Sequence, residues 1–358
     1  MHNFAPIHPE KKDCCMRRLL LFSLVVVMCA AVAVSCRSFH TLGGGKSAQG
    51  APYEVLVVCN GAEWEGAVGE RLRALFGRPV EMINQQEPMF KVLRVAASDF
   101  KNLLPSHRNI LKVIISPEIV EAAVKVQYDV EAAPQVVMTL QAPSVEAATA
   151  YLEEYGDELL QAFEIAERDR TIAYAARHSN KALSELMLSK FDVKMDVPKG
   201  YALRSEGDNF VWASYEFPAA SQGFFAYSYP YRGKAHMTVD DLVFERNMFA
   251  QRIPGPSDGS YMTTVSRIPN IEGTDYVPFT PDYRVVRING RVWIEMRGLW
   301  EVENDFMGGP FVSYTTVNEA TREVFTLDCY VYSPKLGKRN FLRPLEHLVY
   351  LVDFAKSK

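Results

Sequence analysis

Of the patterns that carry familiar enzyme chemistry, this chain of 358 residues has few. Its seven histidines are isolated from one another, with no His-Glu-x-x-His spacing, and its six cysteines include no Cys-x-x-Cys pair. A metal site would have to be assembled at long range, so neither a metal nor a cofactor is expected. No Gly-x-Ser-x-Gly elbow sits between an expected strand and an expected helix, as a nucleophilic serine hydrolase would require. Gly45-Lys46-Ser47 has the ending of a phosphate-binding loop, but His40 stands where its first glycine is needed and no strand precedes it. Basic charge is scarce too. Lys and Arg number 39 against 43 Asp and Glu, for a net charge of −4 with the signs interspersed, which argues against a nucleic-acid partner.

The N-terminal region carries an address. Met16-Arg17-Arg18 precedes the apolar run Leu19–Val34, which closes on Ser35-Cys36. That is a positive n-region, an apolar h-region and a small-residue cleavage site. The run of 16 residues is shorter than the roughly 20 that span a bilayer as a helix, although an uncleaved anchor remains the competing reading. Val34-Ser35-Cys36 resembles a bacterial lipobox, with Ala33 where leucine is usual, which implies lipid attachment at Cys36. Residues 1–15 read as an over-extended translation start, Met16 being the more natural initiator. By resemblance to lipoprotein sorting rules, Arg37 implies outer-membrane residence facing the periplasm, with surface exposure as the second choice. Residues 36–52, with Gly43-Gly44-Gly45, read as a flexible tether. Beyond residue 36 only Cys59 and Cys329 remain, each in a strand-like apolar run. Buried free thiols are the preferred reading and a disulfide between them the alternative.

Periodicity divides the rest. Over 53–143, strands at Glu54–Cys59, Phe90–Ala96, Ile110–Ile115 and Pro134–Leu140 alternate with a helix bearing Trp64, Val68, Leu72, Leu75 and Phe76. Shorter helices are expected at Asp99–Leu104 and Pro117–Val124, giving a small mixed α/β domain. Ser144 caps a helical stretch over 144–190, either one helix or two jointed near His178-Ser179-Asn180. Its acids come first (Glu146, Glu153, Glu154) and its bases later (Arg168, Arg170, Arg177), an order that suits the helix dipole without any ligand. From Phe191 the period turns to alternation. Residues 191–358 read as a twisted antiparallel sheet with helices over Thr238–Arg252 and Leu342–Phe354, and a tight hairpin at Asn289-Gly290. The whole is an α+β protein.

Two groups of side chains are candidates for a site. Glu295 and Glu301, on a strand with Trp293 and Trp300, have the residue types of a glycosidase acid/base pair with aromatic sugar platforms. Acids on the solvent face of a strand fit the pattern equally well. Phe225, Tyr227, Tyr229 and Tyr231 point to one side of a strand, with Trp212 on another. Either they pack beneath the helix over Val239–Phe249, or they floor a groove for a peptide or glycan.

The Ser-Cys ending, the α/β first half, the long central helix and segments such as Phe191–Tyr201 and Val239–Phe249 together resemble the Bacteroidota lipoprotein family catalogued as domain of unknown function 4837. Phe191–Tyr201 with the strands and helix that follow is also similar to the opening of the PsbP/Mog1-like α+β fold. The resemblance implies an exported lipoprotein and little else; reaching a membrane through its N-terminal lipid, the protein is expected to meet an envelope protein or a glycan as partner. The resemblance implies no activity. The expectation is a non-enzymatic binding or assembly module, the alternative a hydrolase of glycan or peptide. A small-ligand carrier using a cavity between the two halves is a third option.

Overall fold

In a computed structural model, residues 46–354 are described; the export segment, Cys36 and most of the expected tether lie outside them. The first half is built on a five-stranded sheet in the order β2-β1-β3-β5-β4. Its strands are β1 (Glu54–Val58), β2 (Lys91–Val95), β3 (Asn109–Ile115), β4 (Ala123–Tyr128) and β5 (Val136–Ala142). β1 to β3 and β5 are parallel; β4 runs antiparallel at the edge. Val55 to Val58 are all buried, as an unbroken Val/Leu run in a parallel sheet demands. Helices α1 (Gly61–Glu65) and α2 (Ala67–Phe76) follow β1, and α3 (Val145–Arg177) follows β5. The Oγ of Ser144 accepts from the Ala147 amide at 3.2 Å and starts α3. Gly156, the weak point of α3 by propensity, is where α2 crosses: a Cβ there would sit 3.4 Å from a Leu75 methyl.

Helix α4 (Lys181–Phe191) begins after a joint at His178–Asn180, with the Asn180 side chain accepting from the Leu183 amide. Then comes an eight-stranded antiparallel sheet. Its strands are β7 (Ala202–Gly207), β8 (Phe210–Phe217), β9 (Ala220–Pro230), β10 (Met262–Thr264), β13 (Asp282–Ile288), β14 (Arg291–Val302), β15 (Gly308–Asn318) and β16 (Glu323–Tyr332). The ordered path is β10-β14-β15-β16-β9-β8-β7, and β13 pairs with β14 beyond it. Asn289 and Gly290 both adopt positive φ, the geometry of the two-residue hairpin their sequence announces. Alternation sorts the strands onto two faces. Phe224 and Ala226 face α4 and the C-terminal helix α6 (Arg339–Glu346), while Phe225, Tyr227 and Tyr229 face α5 (Val239–Ala250). A Thr238–Asp241 capping box starts α5.

Some expectations need correction. Pro117–Val124 is not helical. Val124, Val126 and Tyr128 alternate along β4, an exposed edge strand whose ladder to β5 decides its form. The closing helix expected over Leu342–Phe354 is α6 plus a 3-10 turn at His347–Leu351. Pro344 removes a donor within α6, and Asp353–Phe354 (β17) is drawn into a ladder with Val193–Lys194 (β6). The segment expected to stay loose as far as Pro52 is bonded from Lys46 onward: the Ala133 amide donates to the Lys46 carbonyl at 3.0 Å and the Gln49 amide to Ser106 at 2.8 Å.

The two halves interlock. Val80 and Ile83, from the loop between α2 and β2, lie in the same buried cluster as Leu183, Leu345 and Leu348. In that loop, the Glu87 carboxylate accepts from the Lys338 and Arg339 amides at 2.5 and 3.2 Å and so caps α6. On the opposite face of the large sheet, fully buried Arg246 of α5 holds fully buried Asp328 of β16 at 2.8 Å, its guanidinium 3.7 Å from the Phe311 ring centroid. Burial lifts the Asp328 carboxyl to about 6 in spite of that partner.

Deleting one member of this pair strands the other charge in the core. Asp328→Ala should lower the unfolding free energy by about 3–5 kcal/mol, and the double variant Arg246→Met/Asp328→Leu should lose less. Urea titrations of the three proteins check this; a single variant within about 1 kcal/mol of the parent, the worth of a surface pair, would contradict it.

Candidate functional site

The expected acid/base pair is not brought together. Glu295 and Glu301 lie six residues apart on β14, about 20 Å at 3.3 Å per residue, well beyond the roughly 5–10 Å of paired glycosidase carboxylates. Glu295 is buried and held at 2.6 Å by both Arg284 and Arg297. Arg297 in turn holds Glu346 at 2.6 Å, and Glu346 meets Arg343, which pairs with Glu164 of α3. Burial alone would raise the Glu346 carboxyl, but the Arg297 and Arg343 guanidiniums hold it at about 2. Glu301 is exposed, paired across the sheet edge with Thr263; partial burial and Glu303 raise its carboxyl. Gly255-Pro256-Ser257-Asp258-Gly259 does spell Gly-x-Ser-x-Gly, but between α5 and β10, the reverse of a strand–turn–helix elbow. Its Ser257 hydroxyl donates to Asp305 at 3.1 Å.

The aromatic stripe is covered. Tyr227 stacks on Phe249 of α5 with centroids 4.3 Å apart, Tyr229 follows it, and both are buried. Trp212, half-buried beside the same cluster, donates to the Tyr330 hydroxyl at 2.8 Å. Trp293 is buried against Phe325 and Phe354, and with Tyr231 it borders a broad hollow of 1350 Å³ beneath the β13–β14 hairpin. Charges there are of both signs: Lys234, Arg291 and Arg322 with Glu319 and Asp353. The Arg291 guanidinium is already spent on the Val317 carbonyl and the Phe354 ring.

Convergent chemistry lies elsewhere, in a 420 Å³ cleft where the two halves meet. Tyr53 and Arg108 come from the first sheet, Glu167, Arg170, Tyr174 and Arg177 from α3, Lys199 and Tyr201 from the connection into the large sheet, Tyr215 and Gln222 from β8 and β9, and Leu348 from the C-terminal turn. Its deep wall is a buried polar network. Glu167 accepts from Arg108 at 2.8 Å and from Arg170 at 2.9 Å. Arg170 also reaches the Asn109 side chain and the Arg108 carbonyl, and Asn109 donates to Glu167. One carboxylate thus serves two guanidiniums, and the Nε atoms of both arginines have no partner among the described residues. Burial lowers Arg170 to about 10 against the pull of Glu167, so it stays charged. Arg177 and Lys199 are exposed. Tyr201 is buried and accepts from Gln222 at 2.8 Å.

These residues were missed by the sequence reading of α3, which assigned Arg170 and Arg177 to the helix dipole. A signal was present: Leu159, Phe163, Ala166 and Arg170 follow helical spacing, so Arg170 puts a charge on the buried stripe. Among the described residues, no group of three His, Cys, Asp or Glu side chains could hold a metal ion. Cys59 and Cys329 are buried and free.

With this geometry in place, known proteins can be compared. Residues 180–350 match the family described as domain of unknown function DUF4837. Residues 48–175 match a second domain of unknown function, DUF8532. The joint at His178–Asn180 runs into the start of the DUF4837 match, and the cleft draws residues from both matches. No curated protein matches the chain. Among solved structures, a mutant of protein Mog1 is similar over 46% of this chain and 92% of its own, at 7% identity and a TM-score of 0.26. The human StarD13 lipid transfer and protein localization domain is similar over 47% and 95%, at 9% identity and 0.22. Superpositions this loose assign no function.

At the edge of the cleft His347 ties the halves together, its ring nitrogens 3.5 Å from the Tyr53 hydroxyl and 3.1 Å from the Thr171 hydroxyl. Burial, then the Arg343 guanidinium, with Arg168 adding to them and Glu346 opposing, pushes the imidazole from 6.5 to about 3. As pH falls below about 6.5, the unfolded chain takes up a proton that the folded one refuses, so this contribution is full above that pH and lost on acidification. His347→Gln does not titrate. The advantage of the parent over this variant should therefore shrink by about 1.4 kcal/mol per pH unit below about 6.5. Urea unfolding of both proteins at about pH 7.5 and about pH 5 reads the change, and a pH-independent difference would refute the assignment.

Proposed function

We propose that this is an exported, lipid-held envelope protein that binds a ligand rather than transforming it, with the cleft between its DUF8532 and DUF4837 regions as the binding site. The observation that carries the binding reading is the convergence of Arg108, Arg170, Arg177 and Lys199 with four tyrosines on one concavity formed by both regions. Its volume lies in the usual range for small-molecule sites, roughly 300–1,000 Å³. The separation of Glu295 from Glu301, and the two arginines on Glu295, weigh against a hydrolase built on that pair.

The address rests on the sequence. The export segment and Cys36 support lipid attachment, and the run after Cys36 supports an outer-membrane, periplasm-facing position. Among the described residues no helix is long and apolar enough to cross a membrane.

Two measurements on protein from its native cell test this reading. Cys36→Ala should abolish the incorporation of labelled palmitate seen in the parent; absence of label in the parent, or label retained by the variant, would refute lipid attachment at Cys36. Native mass spectrometry of the gently purified protein should find a small-molecule adduct that Tyr174→Ala loses. A stoichiometric protein partner in place of any adduct would favour an assembly module.

A further inference from the structure

We propose that the junction cleft takes a small molecule bearing a carboxylate or phosphate group. Arg177 and Lys199 receive the oxyanion, the positive floor at Arg108 and Arg170 favours it, and an apolar or ring portion lies against Tyr174 and Tyr215. This deepens the reading of the cleft as a binding site and rests on it.

Charge balance makes the case. Four cations line the cleft and Glu167 is its one lining carboxylate, in a chain whose net charge is negative. Glu167 is divided between Arg108 and Arg170, so about one positive charge is left over in a buried setting, where an unbalanced charge is costly. Asp129 acts on Arg170 only from beyond ion-pair range. Arg177 spends only its Nε, on the Ala173 carbonyl 3.1 Å away within its own helix, and its terminal nitrogens have no hydrogen-bond partner among the described residues. Lys199 has no carboxylate within ion-pair distance among the described residues, which leaves it available. A guanidinium presents a planar fork that matches carboxylate and phosphate oxygens, and a cleft with low-dielectric walls focuses the field of its cations. The enclosing tyrosines add stacking area at modest entropic cost. A volume of 420 Å³ limits the occupant to a small molecule.

Calorimetry on the purified full chain tests the inference with four probes at up to about 10 mM: phenyl phosphate, benzoate, inorganic phosphate and the neutral benzyl alcohol. Phenyl phosphate or benzoate should bind at least about tenfold more tightly than benzyl alcohol, and Arg177→Ala/Lys199→Ala should weaken that binding by tenfold or more. Both substituted side chains are exposed, so an unchanged melting temperature will show that the fold is intact. Preference for phenyl phosphate assigns the natural ligand to phosphate esters; preference for benzoate assigns it to carboxylic acids; either supports the proposal. Benzyl alcohol binding as tightly as the anions, with Tyr174→Ala weakening it, would overturn the anionic class and leave the binding site standing. Binding of none of the four would overturn both.

Discussion

A chain of ion pairs running through the interior decides how this protein is put together. From Glu81 it passes to Arg284, Glu295, Arg297, Glu346, Arg343 and Glu164, joining the α2–β2 loop, the β13–β14 hairpin, α6 and α3. Glu295, Arg297 and Glu346 are buried, so none of these three can be removed without leaving a desolvated charge behind. Coulombic attraction at this depth is weakly screened, and Glu81, Glu295 and Glu346 are each shared by two guanidiniums that approach from different elements. The arrangement fixes the angle at which the C-terminal segment meets α3. That angle in turn positions Leu348 and His347 at the border of the junction cleft.

The cleft follows from the same geometry. Two sheets of different construction, one mostly parallel and one antiparallel, meet along α3 without a continuous apolar interface. Val80, Ile83 and Met89 bridge part of the gap. The remainder is polar, held open by the Arg108–Glu167–Arg170 network and walled by tyrosines. A seam of this kind is where a fold tolerates chemistry, because rigid elements present the side chains and no single core has to absorb them.

Much of this was legible in the sequence. Ser144, Thr238 and Asn289-Gly290 are local signals whose physics is complete within a few residues, and each appears where it reads. The alternation of β9 gave both faces of the large sheet, and the covered aromatic stripe is the ordinary consequence of a helix needing an apolar seat. Legibility ended where partners are remote. Glu295 reads as a candidate acid only until Glu346, which shares Arg297, and Arg284 are placed beside it. Arg170 reads as helix-dipole charge until Asn109, 61 residues earlier, is found to accept from it. β4 misled because its alternation at Val124, Val126 and Tyr128 lies almost wholly beyond the stretch 117–124 and its form is decided by the ladder to β5, and the closing helix because its last residues are drawn into a ladder with Val193.

The cap that Glu87 places on α6 joins residues 251 and 252 positions apart. During synthesis the α2–β2 loop therefore waits for residues 338–348 before Val80 and Ile83 have their full cover. Closure of that long loop is slow for the entropic reason that governs all non-local contacts. The first half can assemble its parallel sheet early, but its final surface is completed only by α6 and the turn that follows it. Ordered synthesis of this chain thus passes through an intermediate in which one apolar loop lacks its cover.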